Sequence, residues 1–414
     1  MTASALADPT YRRFLVARAV AMTGNALTLV ALPILVYRLT GSATLTALVA
    51  AAETAPYLVF GLPAGALADR WNRRRVLVVS GSLSGLALLT VPVADLLGAL
   101  TFAHVLVVAG LVSSLFVFAD AASFGLVPQL VGRDRVASAT SALVTTGTAI
   151  GLVGPLLAGL LVTATSPALA LGIDGLGYLA AAGVVARLRW PGSETTPDVV
   201  AGRRLRTEVA EGLRYLWAAP VVRWLTVLGT GASLAGGAVS GLLVVVGVEQ
   251  LGLDVDSPAL GWLFAAGAVG TLLASLALPR LQRRAGVGVI TTTGYAVALA
   301  ALLALSASTT LLLALPLLVV LQLAMTTLIV NGIVTRQVVT PDHLQSRVNT
   351  TARLIAWGGS PLGAALAGVV AGAAGTEWAL RLASGGLVCS LVGAVVVGVP
   401  RFGRLDDLRV EAPG

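Results

Sequence analysis

The chain contains no lysine: all 27 of its basic residues are arginine. It has 19 acidic residues, and charged residues of both signs fill only 11% of its 414 positions. So few charges cannot cover the surface of a water-soluble domain of this length. A single cysteine, Cys389, excludes a disulfide framework. The two histidines, His104 and His343, have no Cys, His or carboxylate at metal-ligand spacing, so no metal centre is expected. There is no phosphate-binding loop, which argues against ATP hydrolysis as a driving force. The stretch Gly81-Ser82-Leu83-Ser84-Gly85 carries serines without the spacing of a nucleophile elbow. An enzyme is not expected, and neither is a cofactor.

What the chain has in abundance is apolar length. Hydrophobic residues make up 57% of it, with a mean hydropathy of +0.92. A bilayer core about 30 Å thick takes about 20 apolar residues per helix. Twelve runs of that order follow one another: 14–37, 44–67, 76–97, 103–124, 137–163, 167–186, 221–248, 259–279, 287–307, 311–333, 348–371 and 378–399. The first is too long for a cleavable leader and has no small-residue cleavage site, so it is expected to be the first span itself. Cys389 falls in the last run and is expected to pack there.

The arginines give the orientation. With the N-terminus inside, the inner segments carry Arg12, Arg13, Arg70, Arg73 to Arg75, the arginines of 187–223, Arg280, Arg283, Arg284 and the tail arginines. Arg38 stands in an outer segment, beside Glu249, Asp254, Asp256 and Glu377. Both termini are therefore expected to be cytoplasmic in a multi-pass plasma-membrane protein. The net charge of +8 then reports topology and attraction to anionic lipid headgroups. The arginines are spread over separate segments instead of one face, so nucleic acid is not an expected partner.

The densest charge cluster is Gly65-Ala-Leu-Ala-Asp69-Arg70-Trp-Asn-Arg73-Arg74-Arg75, between the second and third runs. It resembles the signature loop of the major facilitator superfamily, Gly-x-x-x-Asp-Arg-x-Gly-Arg-Arg. Asn72 stands where the family has Gly, and either residue type tolerates a left-handed turn. The resemblance implies an all-α polytopic fold of twelve transmembrane helices, in two six-helix halves around a central cavity. It also implies an inner latch in which Arg73 bridges Asp69 and Asp120.

Weak internal symmetry agrees with this plan. Leu126-Val-Pro128-Gln and Val339-Thr-Pro341-Asp precede the fifth helix of each half. Gly154-Pro155-Leu156 and Ser360-Pro361-Leu362 lie inside those helices. The expected organisation is a six-helix half over 1–187, a cytoplasmic linker over 188–219, a second half over 220–399 and a cytoplasmic tail over 400–414. Within the linker, Leu205, Val209, Leu213 and Leu216 recur at helical spacing, which predicts an amphipathic helix on the inner membrane surface. Its Glu211-Gly-Leu-Arg-Tyr-Leu segment is similar to the central linker of a branch that includes siderophore and drug exporters and lysophospholipid transporters.

Ionisable residues inside spans are costly and default to function. Glu53 lies nine residues into the second run, about 14 Å deep, and Asn25 eleven residues into the first, about 16 Å deep. Glu53 is the leading proton-coupling candidate, and Asp174, roughly 10 Å into the sixth run, is the second. Asn25, Tyr57, Gln322 and Trp357 are candidates to line a cavity, although aromatic residues at such depths more often pack. Arg18 and Arg353 lie about one turn from the inner surface and are expected to snorkel. Gly151, Gly154, Pro155 and Gly159 resemble the Gly-Pro motif of facilitator antiporters, with Ala158 replacing one usual Gly. They are read either as that motif or as ordinary close packing.

The leading expectation is a proton-coupled exporter of an amphiphilic small molecule such as a drug, antibiotic or siderophore. Its partners are substrate, protons and membrane lipid, and it is expected to be a monomer. The alternative is a transporter of lysophospholipid or another lipid without proton coupling. No feature of the sequence names the substrate.

Overall fold

The computed structural model describes residues 5–132, 135–188, 205–341 and 344–408. They form fifteen α-helices: α1 (Pro9–Thr40), α2 (Ala43–Arg70), α3 (Arg73–Leu96), α4 (Phe102–Val131), α5 (Val136–Ala164), α6 (Pro167–Arg187), α7 (Leu205–Ala218), α8 (Pro220–Val245), α9 (Ala259–Arg284), α10 (Val287–Ser306), α11 (Leu311–Val339), α12 (Gln345–Trp357), α13 (Gly359–Ala374), α14 (Thr376–Val396) and α15 (Leu405–Leu408). Eleven candidate spans among the described residues are long and apolar enough to cross a membrane, and α5 adds a further 29-residue helix. No strand is present among the described residues. Helices dominate because a lipid-facing backbone must satisfy its polar groups internally.

The chain separates into two units, Met1–Thr40 with Ala52–Gly202 and Gly41–Ala51 with Arg203–Gly414. In the first unit, α3 and α6 approach through facing glycines. A Cβ on Gly85 would lie 2.6 Å from the Gly175 carbonyl oxygen, and one on Gly175 would lie 2.8 Å from that of Gly85. Gly81 meets α6 at Ala182 in the same way. The serine-bearing stretch 81–85 is thus a helix-packing surface. In the second unit, the first turns of α2 rest on α13, where Thr44 Oγ1 donates to the Gly368 carbonyl at 2.8 Å.

Two local features differ from expectation, and a third adds to it. Asn72 does not take a left-handed turn: at φ −64°, ψ 103° it caps α3, and its side chain accepts from the Arg75 amide at 3.0 Å. Only Trp71 and Asn72 separate α2 from α3, which leaves a cap and no room for a turn. The run 348–371 is divided at Gly358 into α12 and α13, where adjacent glycines weaken the helix. The linker helix α7 forms over Leu205–Ala218, where the helical spacing predicts it, and it also packs within the second unit. Its Leu216 is buried against Val222, Val348 and Ala352, and Tyr215 Oη donates to the Val339 carbonyl at 3.0 Å. Burial pushes the Tyr215 phenol up from its ordinary value, so it remains a donor. The stretch 189–204 of the expected linker lies outside the described residues.

At the far end of α8, Val246–Gln250 continue as a single π turn. That turn aims the Gln250 side-chain amide at the end of α10. Its nitrogen lies 2.8, 3.2 and 2.7 Å from the carbonyl oxygens of Leu305, Ser306 and Ser308. One side-chain amide thereby serves three carbonyls at a helix end, where acceptors lack their full set of intrahelical donors.

Candidate functional site

The polar centre of the first unit lies between α1 and α6. Asp174 is 2% exposed, and Thr28 Oγ1 donates to its Oδ2. Its other oxygen, Oδ1, is buried without a hydrogen-bonding partner. The carboxyl group fits because α1 carries no side chain opposite it: a Cβ on Gly24 would lie 2.7 Å from Asp174 Cγ. Gly24 and Thr28 are four residues apart and share a face of α1, so one glycine and one hydroxyl form the cradle.

One turn along α6, Tyr178 occupies the same face as Asp174. It is 6% exposed, its hydroxyl is buried and unpartnered, and it lies in the field of both Asp174 and Arg18. Arg18 does not snorkel: it is 5% exposed, and its Nη2 lies 3.1 Å from Asp120 Oδ1 on α4. Arg18 Nε remains buried and unpartnered. A cavity of about 40 Å³ sits beside these groups, lined by Arg18, Ser80, Ser84, Phe116, Tyr178 and Ala182 among others.

The expected latch residue Asp120 therefore has a partner on α1. Among the described residues its ion pair is with Arg18, where the resemblance implies Arg73. Nine residues into α1, Arg18 reaches α4 within the helix bundle. The side chains of Gly65, Asp69 and Arg70 lie outside the described residues. Arg73 is half-buried, and Arg74 donates to the Ala186 carbonyl at the end of α6. Beside them Phe118 packs on Phe60 at 5.6 Å and on Trp71 at 6.0 Å between ring centres.

Glu53 is half-buried on α2. Tyr57, one turn on, is half-buried, and Asn25 is exposed on the side of α1 away from Gly24. Of the Gly-Pro residues, Gly154 packs α5 on α1, where a Cβ would lie 2.7 Å from Ala26 Cβ. Gly151 faces open space, Gly159 is buried and Pro155 sits inside the continuous helix. In the second unit, Gln322 is exposed on α11, with its Cβ 3.0 Å from where a Gly270 Cβ would stand. Trp357 is 40% exposed, with the Arg353 guanidinium 4.5 Å over its ring. No group of His, Cys, Asp or Glu among the described residues is placed to hold a metal ion.

Sequence reasoning passed over Tyr178, Gly24 and Thr28. The signal available was the spacing of four between Asp174 and Tyr178, and between Gly24 and Thr28.

Comparison with known proteins places this site in context. The family of transmembrane secretion effectors matches residues 1–411. The multidrug efflux pump Tap of Mycolicibacterium fortuitum is 30% identical over 400 residues, covering 92% of this chain and 94% of that protein. The multidrug efflux pump Tap of Mycobacterium tuberculosis is 28% identical over 412 residues, covering 95% and 94%. Among solved structures, a bacterial homologue of the human lysosomal transporter Spinster, inward-facing and unoccupied, superposes with a TM-score of 0.75. It is 15% identical, with 96% of this chain and 98% of that chain covered. The nucleoside transporter NupG gives a TM-score of 0.75 at 13% identity, over 94% and 99% of the two chains. The likenesses to solved structures show the fold alone.

Proposed function

Because the chain belongs to the transmembrane secretion effector family of major facilitator transporters, we propose that it exports an amphiphilic drug-like molecule in exchange for protons, by alternating access. The observation that carries the export reading is likeness over nearly the whole chain to pumps named for multidrug efflux. Proton exchange is supported by two acids set within helices of one unit, Glu53 and Asp174. Asp174 has a hydroxyl partner, Thr28, and no ion pair among the described residues. A carboxyl group placed this way binds a proton more readily than one locked to an arginine. In this reading one proton moves inward as substrate moves outward. Both termini are cytoplasmic, and the protein acts as a monomer in the plasma membrane. Asn25, Tyr57, Gln322 and Trp357 contact substrate, and the Asp69 to Arg74 segment belongs to the inner gate.

Two measurements test this. A growth-inhibition panel across toxic compounds, with and without the protein, identifies exported compounds. Inverted vesicles loaded with a pH dye then report whether adding such a compound moves protons. Protection with coupled proton flux is expected. Transport of the compound with no proton movement refutes antiport and favours the lipid-type, uncoupled alternative.

A further inference from the structure

Arg336 stands in the last turn of α11 and is only 6% exposed. Its guanidinium makes no ion pair or hydrogen bond with the described residues, and its Nε is sealed from solvent. Taking an unanswered cation out of water is costly. The membrane helices of the second unit do not answer it, because α8 to α13 carry seven arginines and no acidic residue. On α15, which also meets α11, Asp407 accepts from the Arg404 amide at 3.1 Å. The Asp406 side chain lies outside the described residues.

Uncharged acceptors along α11 are committed elsewhere. Asn331 Oδ1 accepts from Gln282 Nε2 at 3.0 Å, and Thr335 Oγ1 donates to the Asn331 carbonyl at 2.7 Å. At the end of the helix, Gln345 Nε2 donates to the carbonyls of Gln337 and Thr340, and the Tyr215 hydroxyl to that of Val339. The α11 dipole favours a cation at this end but offers only a partial charge. Space remains beside the guanidinium. Gly332, one turn earlier, is buried, yet among the described residues a Cβ there would meet nothing within 4 Å but Arg336 Nη1, at 3.4 Å. Nη1 therefore borders unfilled volume.

We propose that Arg336 is the cation of an anion site at the end of α11, which takes a phosphate group. The bare face of Gly332 gives the anion room, and the guanidinium fork matches two phosphate oxygens. Position selects the chemistry. At 1.5 Å per residue, this 29-residue helix outruns a hydrocarbon core about 30 Å thick, so its ends lie at the level of the headgroups. The phosphate is that of a phospholipid or phosphate free in solution, since both present the same oxygens. The site lies in the second unit and does not depend on proton exchange.

The full chain is purified in detergent, stripped of lipid and melted with rising sodium phosphate at constant ionic strength. A second series uses dioctanoyl phosphatidylglycerol, and a third dioctanoylglycerol, which lacks the phosphate. Occupation at a hundredfold excess over Kd raises the melting temperature by about 3 °C for a chain of this length. A rise with inorganic phosphate assigns the solution anion, and a rise with phosphatidylglycerol alone assigns the headgroup. Arg336→Met keeps the apolar stem, removes the fork and abolishes the rise, whereas Arg283→Met, at an exposed position, retains it. Arg336→Lys keeps a charge without the fork and weakens half-saturation about tenfold. Wild type indifferent to both phosphate ligands overturns the site, as does an equal rise with dioctanoylglycerol or an undiminished rise in Arg336→Met. Should Arg336→Met fail to fold, unchanged half-saturation in Arg336→Lys overturns it instead.

Discussion

Replacing Asp120 with alanine strands the Arg18 guanidinium, which is 5% exposed, without a counter-charge. Removing one member of a fully buried ion pair costs about 3–5 kcal/mol. Here a quarter of the Asp120 side chain is exposed, and the contact is a single bond of 3.1 Å. One hydrogen bond between charged groups contributes about 1.5–3 kcal/mol, so a loss of about 2.5 kcal/mol is expected. With roughly 2.1 cal/mol/K of unfolding entropy per residue over the whole chain, that lowers the melting temperature by about 3 °C. The informative variant is the double replacement Arg18→Met with Asp120→Leu, which removes both charges and keeps apolar bulk. Thermal unfolding in detergent of the wild type, both single replacements and the double replacement completes the cycle. The double variant is expected to be more stable than either single one, with a coupling of about 2 kcal/mol. Single variants within about 0.5 kcal/mol of wild type, with no coupling, refute the pairing as a structural element.

Three further outcomes follow from the same geometry. Gly24→Ala forces a methyl group onto the Asp174 carboxyl and should cost about 1–3 kcal/mol, read by thermal unfolding, together with pH-driven transport. Gly154→Ala should be destabilised by its contact with Ala26, whereas Gly151→Ala, which meets nothing within 4 Å, should match or exceed wild-type melting. If the arginine bias reports topology as expected, with 188–219 on the cytoplasmic side, Ser193→Cys in a Cys389→Ser background should react with an impermeant thiol reagent in inverted vesicles and remain unlabelled from outside intact cells.

Spans and buried acids were legible in the sequence for one reason: a charge or a long apolar run is visible without knowing its neighbours. Asp174 could be singled out because carboxylates are rare in such runs. Its cradle could not, because Gly24 and Thr28 lie about 150 residues away and acquire meaning only when α1 meets α6. Arg18 was readable as a charge but not as the partner of Asp120, since two whole helices, α2 and α3, separate them in the chain. Its depth suggested a side chain reaching for water, and the nearby carboxylate offered a closer anion. Tyr178 was silent because an aromatic residue inside a span reads as packing. Only an unpartnered hydroxyl beside a cavity distinguishes it. The break at Gly358 was masked by the apolar residues on either side of it.

The Gln250 clamp has a practical consequence. Because one amide fastens the end of α8 to three carbonyls of the α10 terminus, the loop after it starts from a fixed post. Gly252, at φ +68°, turns the chain immediately beyond that post, and Asp254 and Asp256 follow before α9 begins at Ala259. Extra residues inserted between Asp254 and Asp256 are held apart from α8 by the clamp. Loop length adds only slowly to the entropic cost of closure. This loop is therefore the place to graft an epitope or a fluorescent reporter, giving the protein a handle for purification.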